Sequence, residues 1–134
     1  MADFSGQQVF GEQIIGQTDG TFTSTEEFLQ DAAASADLVI DGNEDSRFHV
    51  QFEVDFNTTP GSDAIFSFYS TTDDSPNEEW DVSPFYQIQI SRNDDPARKS
   101  TIIAGYYRWK IGVKADGSDT ITSAAVKIRG VSYK

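Results

Sequence analysis

Nine consecutive residues, Phe48-His49-Val50-Gln51-Phe52-Glu53-Val54-Asp55-Phe56, alternate apolar and polar side chains without a break. In an extended chain successive side chains point to opposite faces, so the run puts its three Phe and two Val on one side. His49, Gln51, Glu53 and Asp55 fall on the other. A helix would scatter both sets around its axis. The stretch therefore predicts a strand with one buried and one wet face, as in antiparallel sheets packed face to face.

The same period returns along the chain. Residues 64–70 place Ala64, Phe66 and Phe68 on one side, and Ile65 and Tyr69 imply that the other side is partly covered. Tyr86, Ile88 and Ile90 alternate with Gln87, Gln89 and Ser91. A strand is expected around 99–104. Tyr107, Trp109, Ile111 and Val113 then alternate with Tyr106, Arg108, Lys110 and Lys114, and Val126 and Ile128 with Lys127 and Arg129. Segments rich in turn formers separate these runs: 57–63, 71–84, 92–97 and the Asp116-Gly117 step. Asp116-Gly117 predicts a hairpin that joins 106–114 to 120–129, with Gly130 as a bulge where the apolar phase reverses. The N-terminal third is less regular. Val9-Phe10, Ile14-Ile15, 21–23 and 37–40 are candidate short strands, and Glu26–Ala36 reads as a helical turn capped by Ser24 or Thr25. Many short strands divided by turns specify an all-β, single-domain antiparallel sandwich of jelly-roll type over 21–134, preceded by an N-terminal arm, 1–20.

Charge narrows the partners. The chain has 134 residues and a formal net charge of -12. Residues 1–91 carry one cation, Arg47, against 18 carboxylates; residues 92–134 carry nine cations against four carboxylates. Phosphate repulsion from the acidic bulk excludes general nucleic-acid binding as the expected activity. No run approaches the roughly 20 apolar residues of a membrane helix, and the first residues have neither the basic nor the apolar region of a signal peptide. A chain made in a cytoplasm is the expectation. With no cysteine, no disulfide, thiolate ligand or thiol nucleophile is available.

The candidate chemistry is sparse. Asp41-Gly42-Asn43-Glu44-Asp45 spaces oxygen ligands as a calcium loop does, but Ser46 and Phe52 stand where an EF-hand needs Gly and Glu. A plain turn is the competing reading. His49 sits on the wet face near Glu53 and Asp55, with no Ser or Cys nucleophile in a recognisable motif. Asp73-Asp74 and Glu78-Glu79 are carboxylate pairs of the residue type used in glycoside hydrolysis, but pairs of this kind in a polar loop are more often solvated charge. No catalytic group, metal site or cofactor is expected.

Surfaces are more informative. Trp80, Phe85, Tyr106 and Tyr107 are aromatics at loop or outward positions, suited to sugar stacking, to an interface, or to capping the end of a sandwich. If 106–114 and 120–129 pair, Arg108, Lys110, Lys127 and Arg129 share one face, where directly opposed cations cost up to about 1 kcal/mol. Either an acidic strand of the same chain, with Glu53 and Asp55, or an external acidic partner would offset that repulsion.

The stretch Ala104–Val131, with its Gly105-Tyr106-Tyr107-Arg108 start, alternating bulky strand, 116–122 turn and closing strand, resembles the end of small β-sandwich structural proteins of tailed bacteriophages. The resemblance implies a virion protein such as a capsid decoration or cement subunit, bound to the major capsid protein or another virion component. Separately, attraction between the acidic N-terminal portion of one subunit and the basic C-terminal ribbon of the next makes homo-oligomers the expectation, a trimer among the options. The resemblance carries over no site residues; from the aromatics, the arm and the basic ribbon of this sequence, the candidate interface is Phe4, Val9, Phe10, Trp80, Phe85, Tyr106, Arg108, Lys110, Lys127 and Arg129. The alternative is a carbohydrate-binding module or receptor-binding adhesin that uses Trp80, Tyr106 and Tyr107 as platforms.

Overall fold

The structure, a computed structural model, describes residues 8–14, 23–31, 36–42, 46–55, 61–94, 97–117 and 123–132. They form eleven strands: β1 (Gln8–Ile14), β2 (Glu27–Phe28), β3 (Gln30–Asp31), β4 (Ala36–Asp37), β5 (Ile40–Asp41), β6 (Ser46–Asp55), β7 (Ala64–Thr71), β8 (Tyr86–Ile90), β9 (Ala97–Ala104), β10 (Arg108–Ala115) and β11 (Ser123–Ser132). No helix occurs among the described residues.

One sheet runs β1-β11-β6-β9. The other runs β2-β10-β7-β8, with β5 also on β10, and β3 and β4 form a small pair. Every pairing is antiparallel. The pairs nest: β7 with β8, β6 with β9, β2 and β5 with β10, and β1 with β11. A single antiparallel ribbon of strand pairs, wrapped around a core, produces this order, which is that of a jelly roll.

The alternation that fixes the strands also fills the core. Phe48, Val50, Phe52 and Val54 of β6 face Ala64, Phe66 and Phe68 of β7, with Ile90, Trp109, Ile111 and Val113 beside them, all buried. Phe52 lies 4.2 Å from Phe66 and edge-on to Phe68 at 5.9 Å between ring centroids. Each such side chain contributes about 1.5–3 kcal/mol on burial. His49 is exposed on the outer face, as its phase requires.

The structure departs from the sequence reading in three places. β10 and β11 form no hairpin: β10 pairs with β7, β2 and β5, whereas β11 lies between β1 and β6 in the opposite sheet. The Asp116-Gly117 step begins a crossing between layers, and a turn signal alone does not distinguish the two. Residues 26–31 run extended in place of the helical turn. Thr25 N–H donates to Thr23 Oγ1, and Leu29 N–H donates to the Ile111 carbonyl at 2.9 Å, so pairing with β10 overrides local propensity. Finally, β11 pairs regularly with β6 through Gly130; the irregularity lies on β1, between Val9 and Gly11. Residues 8–14, inside the stretch expected as an arm, are thus a sheet strand. Phe4, Asn43–Asp45 of the calcium reading, and Phe56 lie outside the described residues.

Candidate functional site

Two regions concentrate the side chains of interest. The first is a cleft of about 480 Å³ at the head of β10, between residues 36–42 and the 71–84 loop. The loop is bound to β7 and to itself. Thr71 Oγ1 donates to the Glu79 carbonyl at 2.9 Å, Glu79 N–H donates to Asp73 Oδ2 at 2.9 Å, and Ser70 donates through both N–H and Oγ to Asp81 Oδ2. On the other side Gly42 N–H donates to the Tyr107 carbonyl at 2.7 Å. A Cβ at Gly42 would fall 2.4 Å from the Tyr106 carbonyl oxygen, so only glycine permits this approach.

Into this cleft β10 sends its alternate residues Arg108 and Lys110, whose side chains are each 12% exposed. The Arg108 guanidinium donates to Asp41 Oδ1 and to the Asp73 carbonyl, both at 3.0 Å, and pairs with Glu78 at 3.2 Å. Burial opposes its charge, but the hydrogen bonds it donates to Asp41 and Glu78 outweigh that and raise its pKa above the ordinary arginine value. Lys110 Nζ bonds Asp37 Oδ2 at 3.2 Å and sits 3.9 Å from the Phe28 ring centre and 4.5 Å from that of Trp80. An ammonium between aromatic faces is stabilised by their quadrupoles. Chemically the region is a clasp: two cations tie Phe28, Asp37 and Asp41 to the loop and β10, and their charges are met by Asp37, Asp41 and Glu78. Tyr107, 45% exposed, donates to Asp74 Oδ1 at 2.5 Å, which raises its pKa.

The second region is a groove of about 390 Å³ at the seam where the edge strands β8 and β9 meet. Lys99 Nζ crosses that seam to the Gln89 carbonyl at 2.9 Å. Phe85 and Tyr106 stack with centroids 3.9 Å apart, and Ile102 and Tyr86 line the groove with 66% and 45% of their surface exposed. Near it stands Val82, 99% exposed. Gly105, at φ 83°, turns the chain from β9 towards Tyr106.

Of the ten residues expected at an interface, the nine that are described are therefore dispersed. Arg108, Lys110 and Trp80 belong to the clasp; Phe85 and Tyr106 belong to the groove. Lys127 and Arg129 are on β11, register-paired with Gln51 and His49 on one side and with Glu12 and Val9 on the other. Phe10 falls at the β1 irregularity. Glu53 pairs with Arg98 of β9, a partner the sequence reading did not assign. As stacking platforms, Trp80 faces Lys110 and Tyr106 faces Phe85, which leaves Tyr107 as the exposed member of the three. The sequence reading missed Ile102 and Val82. Ile102-Ile103 carried the signal, because two adjacent apolar residues in a strand cannot both face the core; Ile103 is buried.

No family model matches this chain, and no curated protein matches it. Among solved structures, one chain from Bacillus endospore appendages, described as a novel family of disulfide-linked pili, aligns with 100% of this chain and 95% of its own length. The TM-score is 0.49 and the identity 10%, a likeness too slight to inform on function, and the chain described here has no cysteine.

Proposed function

We propose that this chain is a non-catalytic structural protein of a virus particle, a decoration subunit seated on the capsid shell of a tailed bacteriophage. The observation that supports this most is the division of its cations. Arg108 and Lys110 are satisfied inside the molecule by the clasp. In the β1-β11-β6-β9 sheet, strand register sets Arg47, Arg98, Lys127 and Arg129 in one phase with three carboxylate positions, Glu12, Glu53 and Asp55, and Arg98 pairs with Glu53. That face is near neutral to basic on a chain of -12. A firm scaffold with one such face suits association with an acidic surface, where attraction between unlike patches steers docking and fixes orientation. The resemblance of the C-terminal strands to phage structural proteins points the same way.

Co-sedimentation with capsids assembled from the shell protein of the same phage tests the reading. Saturable binding is expected at low salt, weakened as the Debye length falls below about 8 Å. Joint reversal of Lys127 and Arg129 to Glu should weaken it at least tenfold while the β-sheet circular dichroism persists. An absence of binding at any ionic strength refutes the role, and a positive glycan array in that case would move the chain to the adhesin class.

A further inference from the structure

The groove at the β8/β9 seam has a counterpart in the chain itself. Asp81 N–H donates to the Ser70 carbonyl at 3.0 Å, and Phe85 N–H donates to the Phe68 carbonyl at 2.8 Å. Five residues, 81–85, therefore span what three residues of β7 span. The excess at Val82-Ser83 is held off the sheet by bonds at both ends. Val82 at 99% exposure is thus a fixed knob, presented without the entropy cost of ordering a free loop. It is flanked by Asp81 and, two residues earlier in the same loop, by Glu79. Phe85, which anchors the far end of the knob, is also a wall of the groove, so the two features adjoin.

We propose that the occupant of this groove is Val82 of a second copy of the chain, in a two-fold dimer where each knob enters the other's groove. The chemistry is complementary. The knob is apolar with acidic neighbours. The groove offers Ile102, Tyr86 and the Phe85–Tyr106 stack, and its β9 side borders a positive position, since Arg47 pairs in register with Ala104. A knob and a groove side by side on one surface satisfy the self-complementarity that a two-fold interface requires: residue i meets j and j meets i. The apolar contact is small beside the roughly 1,200 Å² of a standard interface, so a weak, reversible dimer follows.

Sedimentation equilibrium of the full chain over a concentration series reads this directly. A monomer–dimer equilibrium is expected, shifted at least tenfold towards monomer by Val82→Asp and, separately, by Ile102→Asp. Because the chain has no cysteine, a second readout is clean: a Val82→Cys chain mixed with an Ile102→Cys chain and oxidised should yield the crossed disulfide. A monomer at every concentration, or a dimer whose only disulfides join like to like, overturns the proposal. Neither result touches the shell-binding role, which is measured on particles.

Discussion

The charged clasp at the head of β10 and the apolar groove at the β8/β9 seam are made from similar materials. Each has two aromatic rings, a loop held against β7 and a few charges nearby. In the clasp the rings, Phe28 and Trp80, close on Lys110, and three carboxylates meet the two cations. In the groove the rings, Phe85 and Tyr106, close on each other and leave Ile102 and Tyr86 in solvent. The difference separates stability from association. Groups that find partners within the chain hold the fold together; apolar surface without one is available to another molecule. The basic, aromatic stretch 106–110 divides between the two, with Arg108 and Lys110 in the satisfied region and Tyr106 in the groove.

One substitution should damage both regions. Trp109 is fully buried between Arg108 and Lys110 in sequence, and its ring lies 5.4 Å from Phe48 and 6.0 Å from Phe68, which in turn touches Phe85 and Tyr86. Trp109→Ala is expected to cost about 3–5 kcal/mol in denaturant unfolding. Its buried indole Nε1–H has no acceptor among the described residues, and a buried donor costs about 1–3 kcal/mol to leave unpaired. Trp109→Phe removes that donor along with part of the ring, so it should cost well under half as much as Trp109→Ala. Equal losses would show that the indole nitrogen has an acceptor in solution.

Arg108→Ala separates the two regions. Glu78, with its side chain 17% exposed, loses its cation, whereas Asp41, at 79%, is hydrated regardless. The expected cost is about 1–3 kcal/mol, nearly all of it from the Glu78 side. Glu78→Gln in the Arg108→Ala background should recover part of it; Asp41→Asn should not. Dimerisation through the groove should be unchanged at protein concentrations where the variant is folded.

These partnerships explain what could be read in advance. The strands β6, β7, β8 and β10 are legible because each carries its own period-two signal, and that signal is local. The clasp is not: Lys110 finds Asp37 across 73 residues, and Arg108 finds Asp41 across 67. No periodicity in the sequence encodes such pairings, which follow from β5 pairing with the head of β10, with β4 just before β5 in the chain. The same long-range wrapping sends β10 and β11 into different sheets despite the hairpin signal between them. Residues 26–31 illustrate the opposite failure, where local helical preference is legible and loses to sheet pairing.

Tyr69 tests the clasp side more gently. Its hydroxyl donates to Glu26 Oε1 at 2.8 Å and its ring packs edge-on to Phe28 at 5.6 Å, so it fastens the 23–31 segment over β7. Burial first, then the Glu26 carboxylate, pushes its pKa from 10.0 to about 12. With the folded pKa above the unfolded one, the stabilisation from the neutral phenol is complete below pH 10 and is lost as pH rises through about 12. Tyr69→Phe should cost about 0.5–1.5 kcal/mol at neutral pH and should flatten the stability profile across that alkaline window. A phenol absorbance titration of the folded protein in which all five tyrosines ionise together near 10 would contradict the assignment.

The smallest effect on stability is expected where the effect on association is largest. Ile102 is on an edge strand with two-thirds of its surface in water, and His49, its register neighbour on β6, is exposed as well. Ile102→Ser removes little buried area, so the unfolding midpoint should move by less than about 0.5 kcal/mol equivalent. The monomer–dimer equilibrium should nevertheless shift towards monomer. If Ile102→Ser instead destabilises the fold by more than about 1.5 kcal/mol, the side chain is buried in the working protein. In that event the groove is closed by the chain itself, and the contrast with the clasp disappears.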